Sequence, residues 1–234
     1  MIDWISAPAG PLRGEIRVPG DKSISHRAIM FAALAEGTSR ITGFLEGEDT
    51  RATARAFAQM GVRIEATRPS ERIVHGVGLH GLHAPDDEID CGNAGTGMRL
   101  LAGLLAGQRF DSILSGDESL SKRPMRRVID PLTRMGAKIE SNDGMPPLRI
   151  CGKQTLRGIE YDLPVASAQV KSAILLAGLY ADGESLVREP HPTRDYTESM
   201  LRAFGWPIAF GAGWAKSSGG HSLRATDVAV PSDF

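Results

Sequence analysis

Three long apolar segments recur along the chain, and each begins at a small polar turn and ends at a glycine. They cover residues 23–37, 95–107 and 167–183, and end at Gly37, Gly107 and Gly183. In the third segment small and apolar residues form one helical face, while Leu175, Leu176 and Leu179 fill the other side. A helix that is apolar nearly all round belongs inside a domain, so we predict three buried helices.

A second set of helical segments alternates with the first and mixes charged with apolar residues. These segments cover residues 51–61, 123–136 and 194–205, and close on Gly61, Gly136 and Gly205. The closing glycines recur about every 70 residues, which indicates an internal repeat. A strand-like stretch follows each one, VRIE, AKIE or PIAF, and RIVHGV and LRICG are further strand candidates. The pattern predicts three βαβαββ units.

This repeat places the chain in the α/β (α+β) class, as a pseudo-threefold lobe of three βαβαββ repeats with buried helices. We expect the repeats to cover residues 21–90, 91–162 and 163–230. A fourth polar turn, VAVPSDF, has no helix after it. We therefore expect the chain to be one lobe of a larger protein.

Composition and charge argue against several kinds of partner, location and cofactor. The 234 residues carry 27 basic and 28 acidic side chains, a net charge of -1, so we expect neither nucleic acid nor a membrane as the main partner. No segment has the apolar length of a membrane span, and the N-terminus lacks the features of an export signal. Cys91 and Cys151 lie far apart and show no metal-ligand spacing, so we expect reduced thiols, a cytoplasmic protein and no metal or other cofactor.

The polar turns before the buried helices carry the candidate chemistry. They lie at residues 22–23, 93–96 and 167–169. Helix N-termini expose unpaired N–H groups and a partial positive charge, so each turn is a potential anion site. Lys22 and Arg27 add charge at the first turn, Gly95 permits close approach of a ligand to the backbone, and Arg123 and Arg194 could supply further guanidinium groups.

Helix capping is the alternative interpretation of these turns. Ser23, Ser25, Thr96 and Ser167 are residue types that commonly cap helices, and capping explains any one turn taken alone. Three similarly placed turns with nearby cations favour a site for a small polyanion instead. His26 is expected to be exposed or capping rather than catalytic.

Five motifs in this order resemble the signatures of the 5-enolpyruvylshikimate-3-phosphate (EPSP) synthase family, the 3-phosphoshikimate 1-carboxyvinyltransferases. They are VPGDKSISHRA, GNAGTGMR, DESLSKRPM, ASAQVKSA and TRDYTE. The resemblance implies two similar lobes that together form an inside-out α/β barrel, with the active site between them. It identifies residues 21–230 as the N-terminal lobe, residues 1–20 as a segment of the other lobe, and residues 231–234 as the start of that second lobe.

The resemblance also implies two ligands and a role for each matching residue. The shikimate 3-phosphate site would comprise Lys22, Ser23, Arg27, Ser167, Ala168 through its backbone, Gln169 and Arg194. The phosphoenolpyruvate site would comprise Lys22, Asn93, Gly95, Thr96, Arg123 and Gln169. Of these, Lys22 is assigned to proton transfer as well as binding. The main acid–base residues of the family belong to the second lobe, so this chain is expected to bind substrate without turnover, and the intact enzyme is expected to be monomeric.

Two features qualify the resemblance, and two alternatives stay open. Ala168 stands where many members carry a second serine, and Gly95 stands where glyphosate-tolerant members carry alanine, which implies a glyphosate-sensitive enzyme. UDP-N-acetylglucosamine enolpyruvyl transferase is the related alternative, although Ser23 and the cysteine-free loop SGDESLSKRP depart from its pattern. A non-catalytic module that binds a phosphorylated metabolite is the other.

Overall fold

Three small mixed sheets and six α-helices make up the described part of the chain in the computed structural model, namely residue 5 and residues 7–8, 10–11, 13–16 and 18–233. The segment 1–20, expected to join another lobe, includes residues 1–4, 6, 9, 12 and 17, and the segment 231–234 includes residue 234. Those nine residues lie outside the described ones.

The helices and strands alternate in a repeated order. The helices are α1 (Lys22–Leu34), α2 (Glu48–Gln59), α3 (Gly95–Ala106), α4 (Arg126–Arg134), α5 (Ala168–Gly178) and α6 (Tyr196–Ala203). The strands are β1 (Ala35–Thr42), β2 (Arg63–Arg68), β3 (Glu71–Val77), β4 (Ile89–Asp90), β5 (Ser112–Ser115), β6 (Lys138–Asn142), β7 (Met145–Cys151), β8 (Glu160–Asp162), β9 (Glu184–Arg188), β10 (Ile208–Gly211), β11 (Trp214–Ser218), β12 (Leu223–Arg224) and β13 (Val228–Ala229). A short 3-10 helix, Leu120–Lys122, precedes α4.

The sheets share one topology. The second sheet has the order β4-β5-β7-β6 and the third β8-β9-β11-β10, each with one parallel pair followed by two antiparallel pairs. The first sheet repeats this arrangement as β1-β3-β2, and its parallel neighbours of β1 are β12 and β13, from the far end of the described chain. Three units of βαβαββ order result, as the sequence predicts.

The first unit is therefore completed by a strand that lies about 190 residues further along the chain. Residues 223–229 pair with β1, and β4, at the end of the expected first repeat, pairs instead with β5 of the second sheet. Residues on either side of the three units also meet, because Gly20 and Ser232 form an antiparallel bridge and the N–H of Asp21 donates to the carbonyl of Pro231 at 2.8 Å. The last strand thus closes the ring of three units.

The alternation of apolar and amphipathic helices sorts them into two layers. Helices α1, α3 and α5 are buried along almost their whole length, whereas α2, α4 and α6 bury one face. Helices α3 and α5 pack closely at Gly103, where an added Cβ would lie 2.2 Å from the carbonyl oxygen of Ala173. The backbones approach because no side chain separates them.

The three amphipathic helices end in the same motif. At Gly61, Gly136 and Gly205 the φ angles are 91°, 105° and 82°, in the left-handed region that glycine adopts without strain. The N–H of each glycine and of the residue after it bond back to the last helical turn, as Gly61 does to Ala58 at 3.1 Å and Val62 to Phe57 at 3.0 Å. The expected glycine stops of these helices are confirmed.

Two of the three glycine stops predicted for the buried helices are wrong. Helix α1 ends at Leu34, and the chain enters β1 directly because Ala35 is already extended, so Gly37 lies inside the strand. Helix α5 ends at Gly178 and unwinds through turns that reach Ala181, which leaves Gly183 just before β9. Gly107 does cap α3, with a helical φ of -89°. Tertiary packing, rather than a glycine turn, ends α1 and α5.

The close packing of α3 on α5 gives a testable prediction. Gly103→Ala should destabilise the chain by roughly 3 kcal/mol, because the new methyl group must push the backbone of Ala173 away. Gly178→Ala in α5 is the matched control, since its Cβ would meet only Ser185 at 3.3 Å, and helix propensity favours alanine. Urea denaturation of both variants measures the difference; equal stabilities would contradict the packing.

Candidate active site

A cavity of about 510 Å³ opens at the N-terminal ends of α1 and α5, next to the loop that precedes α6. Its lining includes Ser23, Arg27, Thr96, Ser167, Ala168, Gln169 and Arg194. Six of the seven residues that the sequence groups around a phosphorylated ligand thus come together here, and Lys22 is the one that does not line the cavity. The residues come from distant parts of the chain and meet because the buried helices point their N-termini the same way.

Arg27 forms the buried wall of this cavity and is only 3% exposed. Its Nε donates to the hydroxyl of Thr197 at 2.7 Å, its Nη2 donates to that of Ser172 at 2.8 Å, and its Nη1 donates to the carbonyl of Ser23 at 2.9 Å. Burial lowers the pKa of Arg27 to about 10. The guanidinium therefore stays charged at neutral pH, and its two remaining N–H groups are available to an anion.

Some of the polar residues in the turns cap a helix and others do not. Asp21, not Ser23, caps α1 by accepting from the N–H of Ile24 at 2.7 Å, and Ser25 binds the backbone of Asp21 and Leu45. Ser167 caps α5 by accepting from the N–H of Val170 at 3.3 Å. No hydrogen bond within the described residues involves the hydroxyl of Ser23, which lines the cavity. Capping is therefore the role of Ser167 but not of Ser23.

A second polar cluster lies beside the cavity, at the start of α3. Asn93 accepts from Arg123 through its side-chain oxygen and donates to Asp117 at 2.8 Å. A Cβ added to Gly95 would lie 3.1 Å from Nη1 of Arg123 and 3.1 Å from Nη1 of Arg99. Two guanidinium groups thus converge over one glycine. Such a pair of like charges at a helix N-terminus suits an anion.

Gln169 joins this cluster to the cavity. Its Nε2 donates to the hydroxyl of Thr96 at 2.9 Å, and its Oε1 accepts from Arg99 at 2.9 Å. Because Gln169 and Thr96 also line the cavity, the two groups of predicted residues share one wall. All the residues assigned to the second ligand except Lys22 therefore lie in or beside this cluster.

Sequence reasoning missed Arg99. It is the last residue of the motif GNAGTGMR, and only the packing of α3 on α5 brings it to Gln169. Burial, followed by the charges of Arg123 and Arg127, lowers its pKa. The signal in the sequence is a single arginine in the otherwise apolar segment GTGMRLLAGLLAG, because a charged side chain in a buried helix needs a partner or a ligand.

Lys22 lies at the first turn of α1 but points elsewhere. Its Nζ is 3.1 Å from a carboxylate oxygen of Asp49 at the start of α2, and the side chain is 51% exposed. Asp49 is a second residue that sequence reasoning did not single out.

Arg123 and Arg194 were expected at the starts of α4 and α6. The helices begin later, at Arg126 and Tyr196, so both arginines lie in the preceding loops.

The expectation that His26 is exposed or capping is wrong. The side chain is 0% exposed inside α1, its Nδ1 is 2.7 Å from the hydroxyl of Thr53, and its Nε2 has no hydrogen-bond partner among the described residues. Burial lowers the pKa of His26 to about 4, although Asp49 opposes the shift. At neutral pH His26 is therefore uncharged and packs inside the fold, near the Lys22–Asp49 pair.

Metal-ligand clusters and membrane-spanning helices are both absent from the part of the chain that the structure describes. In these residues no cluster of three or more histidine, cysteine, aspartate or glutamate side chains is arranged to hold a metal ion. Within the same described stretches, no helix combines the length and apolar character needed to cross a bilayer. Cys91 and Cys151 are both free, and burial raises the pKa of Cys91 to about 12.

The fold and the site define a class of protein. Three βαβαββ units form an α/β lobe that presents buried helix N-termini, arginines and hydroxyls to one cavity, and groups of these types are used in anion sites. A family model described as EPSP synthase (3-phosphoshikimate 1-carboxyvinyltransferase) matches residues 6–234. The chain belongs to the EPSP synthase family.

Individual relatives agree with this assignment. The chain is 68% identical over 232 residues to the 3-phosphoshikimate 1-carboxyvinyltransferase of Xanthomonas campestris pv. campestris strain B100, a match covering 99% of this chain and 53% of that protein. It is 67% identical to the protein of the same name from Xanthomonas euvesicatoria pv. vesicatoria. A solved EPSP synthase structure from Acinetobacter baumannii is 57% identical, with a TM-score of 0.91, covering 94% of this chain and 50% of that one. The chain thus spans about half the length of these relatives.

The buried His26 predicts a pH-dependent stability. The imidazole takes up a proton near pH 6.5, the ordinary pKa of histidine, in the unfolded chain and near pH 4 in the folded chain, so stability is complete above pH 6.5 and falls toward pH 4. The loss should reach about 3 kcal/mol. Urea denaturation between pH 7 and pH 4 should show a smaller loss in His26→Gln than in the exposed control His83→Gln; identical pH profiles would contradict the buried neutral imidazole.

Proposed function

We propose that this chain supplies the shikimate 3-phosphate site, and half of the phosphoenolpyruvate site, of a 3-phosphoshikimate 1-carboxyvinyltransferase. The observation that carries the proposal is the cavity at the N-termini of α1 and α5, where Arg27 and Arg194 face the hydroxyls of Ser23 and Ser167. Membership of the EPSP synthase family supports the choice of ligand. The relatives' length beyond the match leaves room for the rest of an active site.

In this proposal the phosphate of shikimate 3-phosphate binds between Arg27 and Arg194. Arg27 is held rigidly by three hydrogen bonds and can offer two further donors, whereas Arg194 is exposed on the loop before α6 and lines the same cavity. Charge-assisted hydrogen bonds to phosphate are short and strong. Ser23, Ser167 and the backbone of Ala168 complete the phosphate contacts.

Phosphoenolpyruvate is proposed to lie against the second cluster. The guanidinium groups of Arg123 and Arg99 converge over Gly95, and the lack of a side chain there lets an anion approach the start of α3. Asn93, Thr96 and Gln169 surround this point and are already linked to the two arginines or to each other. Arg99 is the residue that the structure adds to the assignment.

Lys22 is proposed to serve both binding and proton transfer. In the reaction, the 5-hydroxyl of shikimate 3-phosphate adds to C2 of phosphoenolpyruvate while C3 gains a proton, and phosphate then leaves the tetrahedral intermediate as C3 gives up a proton. An ammonium group can stabilise the developing anions and exchange a proton with a reacting atom. Lys22 is next to Ser23 in the chain, but its side chain contacts Asp49 and does not line the cavity, so this role requires the ammonium group to turn toward the ligand.

Oligomeric state, location and cofactor need belong to the same proposal. We propose that the intact enzyme is a cytoplasmic monomer that requires no cofactor, and sedimentation analysis of the full-length protein would test the oligomeric state. The alternative of a UDP-N-acetylglucosamine enolpyruvyl transferase is not favoured, because the matching family and relatives carry the other activity in their names. The binding-module alternative applies to this chain alone and differs from the proposal only in turnover.

Calorimetric titration of the purified chain with shikimate 3-phosphate tests the site. We expect saturable binding that Lys22→Ala and Arg194→Ala each weaken by about tenfold, the loss typical of one charge-assisted hydrogen bond. Lys216→Ala is the matched control, because Lys216 is an exposed cation on β11 that pairs with Glu184 away from the cavity. Binding that survives both substitutions unchanged would refute the assignment. No binding to the folded wild-type chain would refute a complete site on this lobe.

A turnover assay separates the enzyme proposal from the binding module. We expect no product from residues 1–234 alone, because the main acid–base groups of the family are expected elsewhere, and we expect product from a protein of the relatives' full length. Glyphosate should inhibit that full-length enzyme, and Gly95→Ala should relieve the inhibition, since the methyl group would crowd both arginines at 3.1 Å. Product from the 234-residue chain, or full activity in a large excess of glyphosate, would contradict these expectations.

A further inference from the structure

A buried charge cluster lies beneath the cavity, among residues that the ligand assignments do not use. The ammonium of Lys171 on α5 is 2.7 Å from a carboxylate oxygen of Glu189 and 2.7 Å from one of Glu198. The three side chains are 3%, 0% and 1% exposed. Burial alone would lower the pKa of Lys171, but the hydrogen bonds and charges of the two carboxylates raise it. Three charges so deeply buried need a reason beyond stability, because apolar residues of similar size fill such space at less cost.

One end of the cluster holds the loop that carries Arg194. Glu189 accepts from the hydroxyl of Thr193 at 2.5 Å through Oε1, and from its N–H at 3.4 Å through Oε2. Thr193 and Arg194 both line the cavity, in the connection between β9 and α6. Arg194 makes no salt bridge within the described residues, and its aromatic neighbour, the ring of Tyr196, is 5.8 Å away. The anchored Thr193 therefore sets where Arg194 emerges.

The other end of the cluster holds Arg27. Ser172 follows Lys171 on α5, and Thr197 precedes Glu198 on α6. The hydroxyls of these two neighbours accept from the guanidinium, and Thr197 donates to Ser172 at 2.7 Å. Locking α5 to α6 through the ion pair therefore also fixes the two acceptors of Arg27.

The charged side chains that connect Arg27 to the Thr193–Arg194 loop form a path along which the charges alternate in sign. Arg27 is followed by Glu198, Lys171 and Glu189, and Glu198 is the charge that most favours the protonated form of Arg27. One oxygen of Glu198 has no hydrogen-bond partner among the described residues; burial raises the pKa of this carboxyl group, and the hydrogen bond and charge of Lys171 oppose the shift. The four charges sum to zero, which explains how they can be buried together. The two cavity cations, Arg27 and Arg194, lie at opposite ends of the path.

We propose that Lys171 is a positioning residue, which acts through Glu198 and Glu189 to hold Arg27 and the Thr193–Arg194 loop in the geometry that binds the ligand's phosphate. This inference rests on the function proposed above. Lys171 does not line the cavity and touches no part of the ligand site itself. Its contribution is pre-organisation: both arginines are in place before an anion arrives.

In the test, the three charged side chains of the cluster are all replaced by uncharged ones. Lys171→Met alone would leave two buried carboxylates without a cation, and unfolding would then hide the effect. The triple variant Lys171→Met/Glu189→Gln/Glu198→Gln removes all three charges, a net charge of -1, and keeps similar shapes. Loss of negative charge near Arg27 would by itself favour an anion, so a lower affinity for the phosphate reports lost positioning. Its matched control is Lys216→Met/Glu184→Gln, which removes an exposed pair at 2.8 Å between β11 and β9. Circular dichroism and thermal denaturation confirm that each variant is folded.

Calorimetry with shikimate 3-phosphate should show affinity reduced by about tenfold or more in the triple variant and unchanged in the control. A positioning role also predicts coupling, so in an Arg194→Ala background the same triple substitution should cost less than about threefold. Wild-type affinity in the triple variant, or an equal loss with and without Arg194, would overturn the inference. Should the triple variant not fold, Thr193→Ala replaces it in the same cycle, with the same expected dependence on Arg194.

A second measurement needs no ligand. In nuclear magnetic resonance spectra of the free chain, the Nε–H of Arg27 should exchange slowly with solvent in the wild type and the control, and rapidly in the triple variant. Equal protection in all three would overturn the inference whatever the ligand result. Absence of any shikimate 3-phosphate binding by the wild type, together with the predicted loss of protection, would instead refute the proposed function while leaving Lys171 as the residue that positions Arg27.

Discussion

The close approach of two buried helices is the constraint on which the site depends. Helices α3 and α5 lie so near at Gly103 and Ala173 that no side chain fits between them. Only at that distance can Gln169, at the start of α5, reach both Thr96 and Arg99 on α3, each at 2.9 Å. The contact that packs the core therefore also assembles the wall between the two anion-binding clusters.

Burial of charge is the second constraint, and it explains the polar residues inside the fold. A guanidinium that is 3% exposed must find acceptors, and Arg27 finds them on α1, α5 and α6. Its bonds tie the first unit to the third. A cation held in this way loses little freedom on binding an anion, which favours affinity at a site built on rigid helices.

Family membership and local geometry contribute different parts of the functional argument. The family match covers residues 6–234 but concerns proteins about twice this length, so it does not say what this lobe does by itself. The geometry shows a cavity with cations, hydroxyls and helix N-termini on one side of a single lobe. Together they are the basis of the proposal that this lobe binds anionic ligands.

Sequence patterns alone predicted the repeat, the class of each helix and most of the residues that line the cavity. Apolar periodicity separated the buried helices from the amphipathic ones, because a helix face that is buried must consist of apolar residues. The helix stops at Gly61, Gly136 and Gly205 could be predicted because glycine adopts the left-handed φ that such a stop requires. The strand that completes the first sheet, the partners of Arg99 and Lys22 and the burial of His26 were decided only by tertiary structure. Each of these depends on segments far apart in the chain, and local patterns hold no information about which distant segment will pack against them.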